Sequence, residues 1–462
     1  MNAYRKHSVW FRLGRVLRAL VGMMLALAVL MTMTYSADAT AQALDDGNTS
    51  PIQNLNLSCC TDSSSTLDAT SGSILGGERD AAIHFVNGFA GLTSAQMVAG
   101  APFNVISFSN SDFNESILTV TYDGDDNDAT TLDPVGLGGV DLTSGGAAGF
   151  GFSVVTLDQT ANITVRIYSN ATDHSTATVT VNGRKGYFIP FSSFGIGSGA
   201  TNPADFTDVG AVQLEIDPNG VDSVDLSIDI FDTTTRDFGD LPAVYNATTL
   251  ADNGAYHTEG SIYLGSAYDA EADGTESTTA TGDDTGSDDE DGISLVGSWS
   301  DGAGNGSVLV TVGGGNGCLD GWVDFDQDGL LNEADNHPII DRSVSVGQQL
   351  ITFDVPAGTF PGSGANFSLY ARFRLTRDRD GDGNCAEENE LDAISPWLNG
   401  AYDGEVEDYQ FPFSPTAITL DIINLQENSS GQLWAVVVTL LLMSGATFVY
   451  YRRSSRRLDD TV

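Results

Sequence analysis

Basic residues are scarce in this sequence. Of its 462 residues only 19 are Lys or Arg, against 63 Asp or Glu, and the formal net charge is −44 at pH 7. Nine of the basic residues lie within residues 1–43 or after Tyr451, so the part between them carries 10 basic and 60 acidic residues. A surface this negative repels phosphate backbones and anionic membranes. We therefore exclude nucleic acid as a partner.

The scarcity of basic residues also raises the question of what neutralises the carboxylates. Divalent cations would offset part of the charge, and a saline environment would screen the repulsion instead. The carboxylates cluster at loop spacing rather than scatter along the chain. This clustering favours bound calcium, with adaptation to salt as the alternative.

The short motifs of common catalytic sites are missing as well. The sequence has no His-Glu-x-x-His, no Gly-x-Ser-x-Gly and no phosphate-binding glycine loop, and its five histidines are scattered. Paired carboxylates are so frequent that they do not indicate a glycosidase. The sequence predicts a protein that is not an enzyme, and a secreted glycan-active enzyme is the less favoured alternative.

Both ends of the chain have the pattern of targeting segments. Five basic residues precede an apolar run at 19–33, and small residues follow, with cleavage predicted after Ala39 or Ala43. Residues 1–43 are thus predicted to form a signal peptide, an uncleaved anchor being the alternative.

At the other end, residues 433–451 are apolar and uncharged, and arginines follow at 452, 453, 456 and 457. Nineteen residues in a helix span about 28 Å, enough to cross a hydrocarbon core. We predict a linker at 414–432, a transmembrane helix at 433–451 and a cytoplasmic basic tail at 452–462. The pattern resembles the tails of sortase or exosortase substrates, but no Leu-Pro-x-Thr-Gly or Pro-Glu-Pro box precedes it. A plain membrane anchor is favoured, with the ectodomain exported to the cell surface.

Residues 52–233 lack any helical period. They consist of short alternating or apolar runs broken by Gly, Asn, Asp and Pro, which is typical of strands and turns. Strands at this density predict a sandwich or jelly roll.

This block resembles the galactose-binding-like jelly rolls of carbohydrate-binding modules, on residues 74–80, 136–142, 191–194 and 205–211. The resemblance implies that sugars bind on a concave face through exposed aromatic side chains. The candidates are Tyr168, Tyr187, Phe188 and Phe191. The alternative is that these rings belong to the core.

Two loops with Asp at alternate positions predict calcium sites. Before the first loop, Val323 and Phe325 point to one side and Trp322, Asp324 and Asp326 to the other, which predicts a half-buried strand that leads into the loop. Each loop has a glycine where the chain must turn, and calcium takes six to eight oxygen ligands. The first set is Asp324, Asp326 and Asp328 with Asp335 as the closing ligand, and the second is Asp378, Asp380 and Asp382 with Glu387 or Glu388 nearby. Acidic turns without an ion are the alternative.

Several further motifs follow one another from Asp237 onward. They lie at 237–242, 251–257, 269–274, 321–326, 371–375 and 404–409. Together they resemble the GEVED-type domain of bacterial surface proteins over 237–413, and Gly404-Glu405-Val406-Glu407-Asp408 is the motif that names the family. The resemblance implies a non-catalytic, all-β extracellular module of adhesin-like proteins, and it does not supply a ligand.

Only four cysteines are present, and an exported chain is expected to hold them as disulfides. Cys318 and Cys385 each lie beside an acidic loop, and we predict that they bond to one another. Cys59 and Cys60 are adjacent, and three outcomes are open: a bond between them, a bond to another chain, or free thiols.

Arginine is rare enough in the second block for each one to be informative. In 367–375 the alternation places Arg372 and Arg374 on one face of a strand. We expect them to form ion pairs with Glu405 and Glu407 on the last strand.

These observations predict an all-β protein with two β-sandwich or jelly-roll-like domains, 52–233 and 237–413. The predicted function is a non-catalytic, calcium-stabilised cell-surface protein with an adhesive or structural role and a surface glycan or protein as ligand. The alternative is a carbohydrate-binding module displayed at the surface. A planar row of exposed Tyr or Trp on 52–233 would favour that alternative.

Overall fold

A computed structural model describes residues 43–45, 53–58, 61–68, 74–88, 92–97, 105–258, 260–282, 290–360, 366–378, 383–385 and 396–413. The predicted linker, transmembrane helix and basic tail lie outside these residues, as do Cys59, Cys60 and all of the predicted signal peptide except Ala43. In the described part of the chain, no helix has the length and apolar character needed to cross a membrane.

The first block is built from antiparallel strands. They are β1 Ala43–Asp45, β2 Gln53–Ser58, β3 Ser63–Asp68, β4 Glu78–Gly88, β5 Leu92–Met97, β6 Val105–Asn110, β7 Asn114–Tyr122, β8 Gly149–Leu157, β9 Ala161–Tyr168, β10 His174–Val181, β11 Gly186–Pro190, β12 Gly195–Ile196, β13 Ala211–Asp217 and β14 Asp225–Thr234. Short 3-10 turns lie at Leu75–Gly77, Ser144–Gly146 and Phe191–Ser193. One sheet has the order β11-β8-β14-β6-β5-β2 with β1 on β14, and the other has the order β12-β10-β9-β13-β7-β4-β3.

The alternation of apolar residues along these strands explains how the two sheets pack. In β9, Ile163, Val165 and Ile167 are buried in the core shared by both sheets, whereas Arg166 and Tyr168 are half-buried on the opposite face. Side chains from both sheets form one core cluster. The predicted all-β sandwich of jelly-roll type is confirmed for this block.

The second block is also built from strands. They are β15 Arg236–Phe238, β16 Tyr256–Thr258, β17 Tyr263–Leu264, β18 Ile293–Leu295, β19 Gly302–Gly313, β20 Gly317–Val323, β21 Ile339–Val344, β22 Gly347–Val355, β23 Phe367–Arg377, β24 Gly400–Tyr402 and β25 Gly404–Phe413. Its 3-10 turns are Ala243–Tyr245, Leu250–Asp252 and Ala334–Asn336. The described sheets have the orders β15-β16-β24, β17-β19-β18 with β22 on β19, and β21-β20-β23-β25.

Two of these sheets enclose the main core of the second block. Val308 and Val310 of β19 share a cluster with Leu319 of β20 and Phe373 of β23. A smaller cluster covers the other face of the β20 sheet, where Trp322 packs with residues such as Leu241, Tyr245 and Ala401. β20 is therefore buried on both faces rather than half-buried as predicted, because the segment that follows β15 folds over its second face.

The two blocks contact one another through a buried arginine. The Arg236 guanidinium lies 4.4 Å from the ring centre of Phe188 in the first block and 4.9 Å from that of Phe238 in the second. The Tyr402 hydroxyl donates a hydrogen bond of 3.4 Å to Asp232. Both blocks belong to one compact unit that ends at Phe413, and the division into domains at 233–237 stays a prediction.

Candidate metal centre and acidic final strand

The first predicted calcium loop begins where β20 ends. Asp324 is buried, and its carboxylate accepts the backbone N–H groups of Asp328 at 3.2 Å and Gly329 at 3.1 Å. It also accepts the Tyr245 hydroxyl at 2.6 Å. Gly329 has a φ of +83°, which glycine adopts without the steric cost of a side chain. The loop therefore turns back on its own first carboxylate.

Three carboxylates converge in this loop. Asp324, Asp326 and Asp328 each place one oxygen within 4.8 Å of the others. Burial raises the pKa of Asp324, and the neighbouring Asp326 raises it further. Three carboxylate oxygens this close together are ligands of the kind that a hard cation takes, and a calcium site here stays a prediction.

Asp335, the predicted closing ligand, is not in this group. It lies exposed in the turn Ala334–Asn336, and together with Asp326 it lines a cavity of about 260 Å³. The adjacent Asn336 closes the loop instead. Its side chain accepts the N–H of Phe325 at 3.1 Å and donates to the carbonyl of Leu330 at 3.1 Å. Sequence reasoning missed this residue because an Asn next to an Asp carries no separate signal.

The second predicted loop is described only in part. Asp378 is buried at the end of β23 and accepts the N–H of Gly383 at 3.1 Å, while Asp380, Asp382, Glu387 and Glu388 lie outside the described residues. Cys318 and Cys385 form the predicted disulfide, with Cα atoms 5.4 Å apart. This bond joins Cys385 to the start of β20.

The two scarce arginines have partners other than those predicted. Arg372 forms a bidentate ion pair with Asp408, with N–O distances of 2.8 and 2.6 Å. Arg374 donates to His257 Nε2 at 3.0 Å and to backbone carbonyls, including those of Pro396 and Leu398. The expected pairing with Glu405 and Glu407 is wrong.

The strand register explains this correction. Across the β23–β25 pair, Arg372 lies opposite Asp408 and Arg374 opposite Val406, whereas Glu407 lies opposite Phe373. Directly opposed residues project from the same face of a sheet. The two glutamates therefore project from the face opposite to the arginines.

The carboxylates on and beside β25 bind the backbones of other segments. Asp403 accepts the N–H of Ser261 at 2.6 Å, Glu405 accepts that of Leu264, and Glu407 accepts that of Gly292 at 2.8 Å. Asp408 accepts the N–H groups of Asp240 and Leu241 at 2.7 and 2.9 Å. A Cβ on Gly239 would lie 2.4 Å from the Asp408 carboxylate, so this approach requires glycine. The carboxylates on and beside the final strand thus hold the preceding loops against the sheet by hydrogen bonds to backbone N–H groups.

His257, which sequence reasoning passed over, lies in the same cluster. It is fully buried, and burial together with the charges of Arg374 and Arg372 holds its pKa well below the usual range. A neutral imidazole accepts the Arg374 hydrogen bond at Nε2. This role is structural.

The aromatic candidates for sugar binding do not form a row. Tyr187 is buried in the core of the first block, Phe191 packs against that core, and Phe188 stacks on Arg236. Tyr168 also faces away from the core, half-buried beside His174 with ring centres 5.0 Å apart. No Tyr or Trp is among the exposed large apolar residues of the described part of 52–233.

Comparison with known proteins identifies part of the second block. Residues 319–412 match the family model of the GEVED domain, which confirms the predicted resemblance over that range. No curated protein matches the chain.

Among solved structures, the chain is similar to carbohydrate-binding modules. The family 11 module of a cellulosomal cellulase of Clostridium thermocellum shares 14% identity over 42% of this chain and 95% of that chain, with a TM-score of 0.23. The same family's module from that organism in complex with a β-1,3-1,4-mixed-linked tetrasaccharide has a TM-score of 0.20 at 14% identity, covering 37% of this chain and 95% of that chain.

A glycoside hydrolase domain, Endo-D from Streptococcus pneumoniae R6, is also among them. It shares 9% identity over 74% of this chain and 38% of that chain, with a TM-score of 0.24. Similarities at this level assign neither an activity nor a ligand to this protein.

Proposed function

We propose that this protein is a non-catalytic, calcium-stabilised cell-surface protein with an adhesive or structural role. In this proposal the ectodomain faces outward, and the helix predicted at 433–451 anchors it in the membrane. The observation that carries the proposal is that the carboxylates on and beside the final strand, β25, serve as hydrogen-bond acceptors for the protein's own backbone. A catalytic carboxylate must be presented to substrate. Here Asp403, Glu405, Glu407 and Asp408 each accept backbone N–H groups of neighbouring loops.

Export is supported by the disulfide between Cys318 and Cys385. Structural disulfides form and persist in oxidising compartments outside the cytosol. The acidic composition is consistent with an extracellular environment in which divalent cations are available.

Calcium is proposed for the Asp324 loop because its residues fit this ion. Three carboxylates place oxygens within 4.8 Å of one another, and the loop turns at Gly329. Calcium accepts such hard oxygen ligands in flexible geometry. When bound, it would offset the repulsion among the three carboxylates and hold the loop on the end of β20.

We expect calcium to raise the melting temperature of the full-length chain. A ligand that binds only the folded state at 100 times its Kd adds about 2.7 kcal/mol to the free energy of unfolding. Scanning calorimetry in millimolar calcium and in EGTA measures this effect. Asp326→Asn should lose much of the calcium-dependent rise, because it removes one exposed carboxylate of the group.

The matched control is Asp354→Asn, an exposed carboxylate on β22 of the same block. It should retain the full calcium response. Equal melting curves in calcium and EGTA for wild type, or an unchanged response in Asp326→Asn, would contradict the Asp324 site.

A second candidate function is glycan binding by the first block, and the exposed side of β9 and β13 favours it. Arg166 and Glu215 form a bidentate pair there at 3.0 and 2.8 Å, and the Tyr168 hydroxyl donates to Gln213 at 3.2 Å. An aromatic ring beside fixed polar groups is a surface on which a sugar ring can stack.

For this candidate we expect a glycan array to yield a calcium-independent ligand for the full-length chain. Tyr168→Ala should weaken that binding about tenfold, which corresponds to about 1.4 kcal/mol. Phe113→Ala, which removes an exposed ring from a loop elsewhere in the block, should leave it unchanged. Absence of any glycan ligand would favour the adhesive or structural role alone.

A further inference from the structure

A second group of carboxylates converges in the first block, at the start of β4. Glu78 and Asp80 lie on one face of this strand because side chains alternate, and Arg79 between them projects to the other face. Asp80 is opposite Thr121 near the end of β7. This pairing brings Asp123, the first residue after β7, next to Asp80.

Burial distinguishes this group from an ordinary acidic turn. The exposed fractions of Glu78, Asp80 and Asp123 are 1%, 3% and 1%. Each of the three has one carboxylate oxygen that is buried and accepts no hydrogen bond from the described residues. Leaving a buried acceptor unsatisfied is costly, so three at one place indicate a missing partner.

The loop after β7 adds a fourth carboxylate. Oxygens of Glu78, Asp80 and Asp126 lie within 4.8 Å of one another. The other oxygen of Glu78 accepts the N–H groups of Asp126 and Asn127 at 3.3 and 2.9 Å, which holds the loop in place. Oxygens of Asp68 and Asp125 also lie within 4.8 Å of Glu78.

Among the residues that the structure describes, no basic side chain forms an ion pair with these carboxylates. Among the described ion pairs, Arg79 bonds to Asp45, and none involves Glu78, Asp80, Asp123 or Asp126. Carboxylates held this close to one another repel unless a cation lies between them. The missing partner is therefore positively charged.

A cavity of about 230 Å³ adjoins the group. Asp80 and Asp123 line it together with Thr121, Gln213 and residues 128–132. A water molecule takes up about 30 Å³ in the liquid, so the cavity has room for waters that complete a coordination shell.

We propose that Glu78, Asp80, Asp123 and Asp126 bind a calcium ion that fastens the loop after β7 to the start of β4. Calcium fits better than magnesium because the carboxylates come from two separate segments, and calcium accepts six to eight oxygens in flexible geometry whereas magnesium demands a near-ideal octahedron. This site is separate from the Asp324 loop, and a failed test at one site does not contradict the proposal for the other.

The test counts calcium ions on the full-length chain by equilibrium dialysis, with calcium as the only added metal. The double variant Asp80→Asn/Asp123→Asn should bind one ion fewer per chain than wild type. In EGTA it should melt no lower than wild type, because uncharged amides of the same shape remove the repulsion. Asp141→Asn, an exposed carboxylate in the same block, is the matched control and should bind as many ions as wild type.

Glu78→Gln provides a second measurement, because its amide oxygen can still accept the N–H groups of Asp126 and Asn127. Glu78→Gln should weaken calcium binding at this site at least tenfold. Asp326→Asn should instead remove the ion at the Asp324 loop. Equal calcium counts for the double variant and wild type, or magnesium binding at the same affinity as calcium, would overturn the proposal.

Discussion

Replacing Arg372 with methionine is expected to lower the free energy of unfolding of the second block by about 3–5 kcal/mol. Arg372 and Asp408 are both 0% exposed and form a bidentate pair. Removing one member of a buried pair leaves the other charge uncompensated in a region from which water is excluded, and this produces the large loss. The Arg372 Nη1 group also donates to the carbonyls of Ala247 and Trp397 at 2.7 and 2.9 Å, and these acceptors would lose their partner.

Denaturant unfolding of the full-length chain, followed by tryptophan fluorescence, measures the loss. Trp299, Trp322 and Trp397 all lie in the second block and report on it. The matched control is Arg166→Met in the first block, whose bidentate pair with Glu215 is partly exposed. Residues 52–233 contain no tryptophan, so far-UV circular dichroism follows the unfolding of this control against wild type. Exposed pairs contribute about 0–1 kcal/mol. A loss at Arg372 as small as that at Arg166 would contradict a central structural role for the Arg372–Asp408 pair.

Removal of the disulfide should have a comparable effect. The bond between Cys318 and Cys385 closes a loop with a sequence separation of 67 residues. In the chain-entropy model, closing such a loop stabilises the folded state by about 4 kcal/mol because the unfolded chain has fewer conformations. The double variant Cys318→Ala/Cys385→Ala should lose about this amount, measured by the same tryptophan signal.

Reductant provides the control for this variant. It should destabilise the second block of wild type to about the level of the double variant, and it should not change the tryptophan transition of the double variant itself. A double variant as stable as oxidised wild type would show that the bond adds no constraint to the unfolded chain.

Much of the fold could be read from the sequence because it depends on local pattern. The alternation of apolar residues in β9 or β19 has the period of a strand, and the turn residues between such runs separate the strands. The absence of helical periods was therefore informative. The half-buried assignment of β20 failed because burial of its second face depends on Tyr245 and Trp322 meeting from distant parts of the chain.

The candidate site was predictable to the extent that its ligands are neighbours in sequence. Asp324, Asp326 and Asp328 occupy alternate positions of one loop, so their convergence needs no knowledge of the rest of the chain. From the sequence, the acidic run at 123–128 indicates either an ion site or a solvated hairpin turn, but its convergence with Glu78 and Asp80 was not predictable in this way. It depends on β4 and β7 pairing in one particular register, which brings together residues about 45 positions apart in sequence.

By itself, the sequence determined the all-β class, the pairing of Cys318 with Cys385, the GEVED motif and the acidic loop after β20. Each of these depends on residue types at short or distinctive spacings, which can be recognised without knowledge of the tertiary structure. Only the tertiary structure decided which carboxylates meet which partners. A shift of one residue in strand register moves every side chain to the opposite face of a sheet. For that reason Arg372 binds Asp408 rather than Glu407, and Asp80 meets Asp123, as a consequence of how β23 pairs with β25 and β4 with β7.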